Sequence, residues 1–114
     1  MKTLPVDWDI LRDATDNDQA AMKEIVSIYL RTGVENVREL RSAVKREDPA
    51  QVAALAHRFL GSSRFLGAKE IEIPLAALMK MGRTRRLSPL ATHLVDRTEK
   101  EFVRIDHYVK TYHE

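Results

Sequence analysis

The sequence predicts an all-α protein, an up-and-down four-helix bundle with a short extra helix at the N-terminus. Three observations favour this fold: apolar residues recur at helical spacing, no segment longer than a few residues reads as a strand, and residues suited to capping precede the periodic segments. Substantial helices joined by short connections are typical of a bundle. With 114 residues the chain is long enough for one such domain, which we assign to residues 1–114.

A short first helix is expected over residues 6–14. Asp7 is suited to cap it, and Trp8, Ile10 and Leu11 supply its apolar side chains. A large aromatic residue on so short a helix has to pack against a neighbour, so we expect Trp8 to lie over one end of the bundle.

A long second helix is expected from a capping box at Asp16 and Gln19 to about Arg46. Gly33 lies inside it and predicts a weak point or a slight bend, because glycine costs about 1 kcal/mol relative to alanine in a helix. The apolar positions of this helix keep helical spacing: Ala21, Ile25, Ile28, Tyr29, Val37, Leu40 and Val44.

The third helix has a strong start and a clear stop. Asp48 is placed to cap it, Pro49 suits the first helical position, and Gln51 follows three residues after the cap. The helix is expected to end near Leu66, because Gly67 is suited to the left-handed residue that terminates helices.

Two more helices complete the bundle. One is expected from about Lys69 to Met81, with Pro74 making its first turn irregular or kinked. A basic loop over residues 82–86 follows. The last helix begins after Ser88 and Pro89 and runs from residue 90 to about 112. Its apolar positions are Leu90, Leu94, Val95, Phe102, Ile105, Tyr108 and Val109.

Composition narrows the class of protein. Hydrophobic residues make up 44% and charged residues 32%, which is ordinary for a globular domain, and a net charge of +2 gives no support for nucleic-acid binding. The absence of cysteine excludes disulfides and thiolate metal sites. The N-terminus has no apolar signal region, and no apolar run approaches the ~20 residues of a membrane helix. We therefore expect a cytoplasmic protein that binds neither membrane nor nucleic acid. We also expect it to be a monomer.

His57 points away from the apolar stripe of the third helix. At about 100° per residue it lies roughly 170° from the middle of that stripe, so it should face solvent. Its helical neighbours at three and four residues' spacing are small or apolar rather than charged. They are Ala53, Ala54, Leu60 and Gly61. This pattern leaves room for another protein to approach the imidazole closely.

An exposed imidazole is a nucleophile near neutral pH, and accepting a phosphoryl group is the covalent role that suits it best. Positive groups near the ring would help to hold the phosphate. Arg64 lies about two turns further along the same face, whereas the neighbouring Arg58 points about 100° away. Arg64 is therefore the better candidate for a charged donor to the phosphate oxygens.

The segment around His57 resembles the signature of histidine-containing phosphotransfer (HPt) domains. That signature is a histidine, a hydrophobic residue two positions later, then Lys, Gly, two small residues and a Leu-Gly-Ala sequence. The helix layout over roughly residues 7–110 also matches that family. The matching residues here are His57, Phe59, Gly61, Ser62, Ser63, Leu66, Gly67 and Ala68.

The resemblance implies a phosphocarrier in a two-component relay. His57 would carry the phosphoryl group on Nε2, receiving it from an aspartate of one receiver domain and passing it to another. Gly61 would leave room beside the ring, and Ser62 and Ser63 would let helices pack closely. The family has no ATP site, and the Mg²⁺ belongs to the receiver, so no cofactor or metal is expected in this chain. A receiver domain of a response regulator or of a hybrid histidine kinase is the expected partner.

One position departs from the family pattern, since the usual Lys is Leu60 here. Leu60 and Phe65 fall on opposite flanks of the apolar stripe, where they are either bundle edge or apolar parts of a docking surface. The interpretation we adopt makes Leu60 the chief docking contact. The docking surface then comprises Ala53, Ala54, Arg58, Leu60, Gly61 and Arg64.

Other interpretations remain open. The loss of the Lys motivates a degenerate module that docks a receiver or kinase domain without carrying phosphate. A hydrolase that uses His57 as a base has little support, because no carboxylate or serine is spaced to form a triad with it.

The basic run around residues 80–86 is either a solvated loop or a means of steering an acidic receiver surface. Ser63 is expected to bond back to the Phe59 carbonyl, and His93, His107 and His113 are expected on the surface.

Overall fold

Five helices make up most of the chain over residues 4–112, the part that the computed structural model describes. No strand occurs in that range, so the predicted all-α class is confirmed. The helices are α1 (Trp8–Ala14), α2 (Gln19–Lys45), α3 (Pro49–Phe65), α4 (Lys69–Arg83) and α5 (Leu90–Thr111).

Helices α2 to α5 form the predicted four-helix bundle, and the molecule measures 43 Å by 26 Å by 22 Å along its principal axes. Each helix packs on the next one in the chain, and α2 closes the ring by packing on α5. Helices α3 and α5 are diagonal partners whose Phe59 and Phe102 rings meet in the core with centroids 6.1 Å apart. Tyr29 of α2 lies within 6 Å of both rings and completes the aromatic centre. The exposed side of α3 therefore faces away from α5.

Helix α1 and the segment before it cover one end of the bundle, as predicted. The Asp7 amide donates to the Leu66 carbonyl at 2.9 Å, and Val6 is fully buried. The Trp8 indole Nε1 donates to the Tyr108 hydroxyl at 2.9 Å, and its ring stacks on Tyr112 at 4.8 Å between centroids. These contacts join the N-terminal segment to the ends of α3 and α5.

The predicted capping box at the start of α2 is wrong by two residues. Asp16 and Asn17 adopt left-handed backbone angles, with φ of 53° and 62°, in the tight turn that follows α1. Because those conformations cannot begin a helix, the cap moves to Asp18, whose carboxylate accepts from the Ala21 amide at 3.1 Å.

Helix α3 begins and ends as predicted. The Asp48 carboxylate accepts from the Gln51 amide at 3.2 Å, and Pro49 occupies the first turn. Gly67 has a φ of +61° after the last turn, a conformation that glycine adopts without steric cost. The position of His57 is therefore set by local signals at both ends of its helix.

Gly33 does not interrupt α2, which is helical from Gln19 to Lys45. A Cβ added at Gly33 would lie only 2.0 Å from Cε1 of Phe102. The glycine thus lets the Phe102 ring lie directly against the α2 backbone, and its helix-propensity cost is offset by packing in the aromatic centre.

Helix α4 extends to Arg83 rather than ending at Met81, so the first part of the predicted basic loop is helical. A Cβ added at Gly82 would lie 2.5 Å from the Pro49 carbonyl oxygen and 2.9 Å from Cβ of Ala53. The missing side chain at Gly82 lets the end of α4 approach the α3 backbone closely. This contact sets how closely α4 covers one flank of the His57 helix.

The prolines are accommodated without breaking either of the last two helices. Pro74 is buried in α4, whose first turn is helical from Lys69, so the irregular first turn that we predicted does not occur. Helix α5 starts after Ser88 as predicted, and the Ser88 hydroxyl accepts from the Leu90 amide at 3.2 Å.

Over residues 4–112, none of the helices combines the length and the apolar character that crossing a membrane requires.

Candidate functional site

His57 lies on the exposed side of α3, as its place on the helical wheel predicts. Ala54 and Gly61, one turn before and one turn after it, are exposed too, and a Cβ added at Gly61 would meet nothing within 4 Å. Ala53 is half-buried because it lies against Gly82 of α4. The imidazole is thus flanked along the helix by positions with almost no side chain, and a partner can approach it from above.

Leu60 does not contribute to this surface, and the prediction that it is the chief docking contact is wrong. Its exposed fraction is 1%, and it belongs to the main hydrophobic core. The physical reason is the close approach of α4. Leu60 follows Ala53 by two turns on the same side of α3, and Ala53 lies against Gly82 of α4. That side of the helix is covered by α4 rather than open to solvent.

Beneath the exposed side, a buried hydrogen-bond chain fixes α3 to α2. The Ser63 hydroxyl donates to the Phe59 carbonyl at 2.8 Å, which confirms the predicted back-bond. Since Ser63 has a single hydroxyl proton, the Tyr29 hydroxyl must be the donor in its 2.8 Å bond to Ser63 Oγ. Burial raises the pKa of Tyr29, so the phenol keeps the proton that it donates.

Tyr29 is a residue whose role the sequence did not reveal. It stands in the apolar stripe of α2 and looks like one more core residue. Only the packing of α2 on α3 brings it to Ser63, a contact over 34 residues of chain.

Two arginines flank His57, and each is paired with a neighbouring helix. Arg58 Nη2 donates to Asn36 and to Glu39 of α2, both at 3.3 Å. Arg64 Nε lies 3.5 Å from Glu72 Oε1 of α4. Both arginine side chains are 62% exposed, so these ion pairs are screened by solvent and contribute little to stability. Neither arginine is held so firmly that it could not move to another anion.

Phe65 lies at the edge of the bundle and remains 49% exposed. With Ser62 it lines a shallow apolar groove against Ile28 and Thr32 of α2. We use the term His57 face for the exposed side of α3 formed by Ala54, His57, Arg58, Gly61, Arg64 and Phe65.

His57 makes no hydrogen bond to any side chain of residues 4–112, so its ring has no carboxylate to orient it as a hydrolytic base. An unencumbered imidazole on an open surface is suited to direct nucleophilic attack on an incoming group. His93 and His107 are exposed on α5, as predicted, while His113 lies outside the described residues. In residues 4–112 no group of three or more His, Asp or Glu side chains is placed to hold a metal ion.

The Hpt domain family model matches residues 24–108, which include His57 and all of its motif. The crystal structure of histidine-containing phosphotransfer protein B (HptB) from Pseudomonas aeruginosa PAO1 is similar in fold, with a TM-score of 0.82 and 20% identity. The alignment covers 98% of this chain and 100% of that chain. Comparison with curated proteins finds no match.

The structural likeness establishes the fold, and the family match covers well over half of the chain. Hpt domains are histidine phosphocarriers of two-component phosphorelays that interact with receiver domains and kinases, without being ATP-binding catalytic domains. Taken with the exposed His57 on α3 of an all-α bundle, the match shows that this chain belongs to the Hpt domain family.

Proposed function

We propose that this protein shuttles a phosphoryl group between the aspartates of two receiver domains and that His57 carries it. One observation supports the proposal most directly: the family's histidine is exposed, with the open position at Gly61 directly beside it. A folded partner can therefore bring its aspartyl phosphate into line with the imidazole without any rearrangement of this bundle. We propose further that the chain acts as a monomer and as a single domain.

The bonds that form and break involve only the imidazole and the partner's acyl phosphate. Nε2 of His57, with the ring proton on Nδ1, attacks the phosphorus atom in line with the aspartyl oxygen. The N–P bond forms as the P–O bond breaks, and the first aspartate leaves as a carboxylate. The carboxylate of a second receiver then attacks the same phosphorus, which returns the electron pair to Nε2 and regenerates His57. The bundle contributes positioning and charge stabilisation, which are the main protein contributions to phosphoryl transfer.

Arg64 is our candidate for stabilising the phosphoryl group. Helix side chains lean toward the N-terminus, so the Arg64 side chain leans back over the turn that contains Gly61, toward His57. The missing side chain at Gly61 leaves that path open. In the unphosphorylated protein Glu72 holds Arg64 through an exposed pair worth less than about 1 kcal/mol. A phosphoryl group with close to two negative charges competes well against that single carboxylate.

We expect Arg64→Gln to shift the transfer equilibrium away from the phosphorylated bundle by about fivefold, which corresponds to ~1 kcal/mol at an exposed site. Glu72→Gln should shift it the other way, because Arg64 no longer has a competing partner. The measurement is the partition of label between a receiver domain and this protein at equilibrium. Arg58→Gln is the matched control, since Arg58 has the same exposure but pairs toward α2. An equal effect of the Arg58 and Arg64 variants would contradict the assignment.

The docking surface that we propose omits the buried Leu60 and the half-buried Ala53 and adds Phe65 and Ile28. With Leu60 buried, Phe65 supplies exposed apolar surface on α3, and Ile28, which is 41% exposed, lies across the groove from it. An interface of ~800 Å² per partner centred on His57 is wide enough to include both. Ala54 and Gly61 leave the space in which the receiver's active-site loops approach the ring.

We expect Gly61→Gln to slow phosphoryl transfer by about 100-fold, because a side chain one turn from His57 would displace the incoming aspartate from its attack geometry. The fold should not suffer, since nothing lies within 4 Å of the position and glycine is the weaker helix former. The measurements are the second-order transfer rate and the melting temperature. Gly61→Ala, which adds one methyl group, is the control and should retain most of the rate. A slow Gly61→Gln variant that also unfolds easily would mean that the glycine is structural.

The experiment that tests the proposed function is phosphoryl transfer from labelled receiver domains, or from a hybrid kinase, to this protein. Label that is acid-labile and alkali-stable is expected, as for phosphohistidine. A receiver that binds the protein without transferring label would favour the second candidate function, a docking module that carries no phosphate. The observation that favours this docking module is the buried Leu60, which stands where the family usually has Lys. Equal binding of wild type and a His57→Ala variant would support it.

A further inference from the structure

Unpaired cations gather at the end of the bundle where α2 ends, α3 begins and α4 is joined to α5. All of them are exposed, and no carboxylate of residues 4–112 pairs with any of them. We call this cluster the basic end; it consists of Lys45, Arg46, Lys80, Arg83, Arg85 and Arg86.

Two carboxylates, those of Glu47 and Asp48, lie beside the six cations of the basic end, so this end of the bundle has a net charge of +4. The whole chain has a net charge of +2, so the remainder of the protein is net negative by two charges. The protein is therefore strongly polarised even though its total charge is small. Such a cluster repels itself in the free protein, and an acidic surface would relieve that repulsion.

The basic end adjoins the His57 face. Gly82 packs against Ala53, one turn before His57, and Arg83 follows directly. On α4, Arg83 lies within about 20° of the direction of Glu72, the residue that pairs with Arg64 of the His57 face. On the other side, Arg85 and Arg86 line one surface pocket together with Glu47 of the turn between α2 and α3. A protein centred on His57 therefore lies close to these cations.

We propose that the basic end is an electrostatic docking surface for an acidic region of the same protein that exchanges the phosphoryl group with His57. This inference rests on the proposed function. Opposite charges on two approaching proteins raise the rate of encounter and orient it, while adding less to the chemical step. The basic end thus steers the partner onto the His57 face and sets which acidic partners react fastest.

A protein partner fits this surface better than a nucleic acid does. Single-stranded nucleic acids are bound by cations interleaved with aromatic rings on which bases stack, and the residues of the basic end include no aromatic side chain. The cations also border the His57 face, so a nucleic acid bound there would obstruct the approach of any phosphoryl donor.

The test compares two triple variants with equal loss of charge. Arg83→Gln/Arg85→Gln/Arg86→Gln removes cations from the basic end. Lys23→Gln/Arg97→Gln/Lys100→Gln removes exposed cations from the far end of α2 and from α5, which lies diagonally across the bundle from α3. The measurement is the transfer rate from a phosphorylated receiver domain that labels wild-type His57, over a range of receiver and salt concentrations.

The basic-end variant should show about a tenfold lower second-order rate at low salt, and the difference should vanish at high salt. Its rate at saturating receiver should equal that of wild type. The control variant should stay within about twofold, because its charges lie outside the basic end, on the first part of α2 and on α5. Equal losses in both variants would overturn the proposal in favour of a general charge effect. A normal transfer rate in the basic-end variant, with loss of binding to a duplex DNA probe, would assign the surface to nucleic acid instead. Failure of wild type itself to accept label from any receiver refutes the proposed function rather than this inference.

Discussion

Replacing His57 by Gln should reduce phosphoryl labelling of this protein to background while leaving its fold intact. Glutamine has no nitrogen nucleophile that can form an N–P bond under these conditions, so the carrier atom is removed rather than weakened. His57 is exposed and makes no side-chain hydrogen bond within residues 4–112, and such a substitution changes the free energy of unfolding by less than about 0.5 kcal/mol. The measurements are acid-labile label after incubation with a phosphorylated receiver, and the melting temperature.

His93→Gln is the matched control. His93 is an exposed histidine on α5, and α5 lies on the opposite side of the bundle from the His57 face. This variant should accept label as fast as wild type does. Persistent acid-labile label in the His57→Gln protein would place the phosphorylation site elsewhere and would refute the assignment.

A comparison of wild type with the His57→Gln variant also separates phosphate transfer from docking. The docking surface surrounds His57 but consists mostly of other residues, so His57→Gln should still bind the receiver with nearly wild-type affinity. A receiver that binds both proteins and labels only wild type would establish the relay. A receiver that binds both and labels neither would make this a docking module, in which the buried Leu60 replaces a lysine that such a module does not need.

Local signals were enough to predict the elements that present His57. The Asp48 cap and Gly67 define the bounds of α3, and both act within a few residues of chain. The helical period then places His57 opposite the apolar stripe, whichever helices pack on that stripe. The exposure of His57, our candidate nucleophile, was therefore predictable before any tertiary contact was known.

Features that depend on contacts between helices were not predictable in this way. The burial of Leu60 follows from the approach of α4 at Gly82, a contact between segments far apart in the chain. Gly33 looks like a defect in α2 until Phe102 is seen to lie against it. The bond from Tyr29 to Ser63 has no sequence signature. A helical wheel shows which residues lie on a flank, but it does not show whether a neighbouring helix covers that flank.

Leu60→Lys, which restores the residue usual in the family, should destabilise this protein rather than repair its site. Leu60 is 1% exposed and belongs to the main hydrophobic core. Truncating such a leucine to alanine costs about 2–5 kcal/mol, and burying an ammonium group adds to the loss. The lysine stem can replace part of the apolar contact if the amine extends toward solvent, which puts the expected loss near 2 kcal/mol. Chemical denaturation measures it, with Leu60→Met as a volume-conserving control that should lose less than about 1.5 kcal/mol.

The pH dependence of the stability of the Leu60→Lys variant shows whether its loss of stability comes from a buried charge or from poor packing. Burial lowers the pKa of the introduced amine in the folded state below its unfolded value of ~10.4, so the unfolded state binds more protons between those two values. Stability relative to wild type should therefore rise with pH through that window. A loss that does not change with pH would mean that the amine reaches solvent and that the defect is one of packing alone.

Phosphoryl labelling of the Leu60→Lys protein then shows whether position 60 is a core position covered by α4 or part of the His57 face. If the variant is destabilised and labels no faster than wild type, α4 occupies the space through which a lysine would reach the phosphate, and Arg64 is left as the nearest candidate cation. If it remains as stable as wild type and labels faster, the amine reaches the phosphoryl group along the edge of α4. Position 60 would then belong to the His57 face, and the packing of Leu60 against α4 would be only one of two arrangements open to this flank. We expect the first result, because Leu60 is 1% exposed in the main hydrophobic core and α4 covers that side of α3.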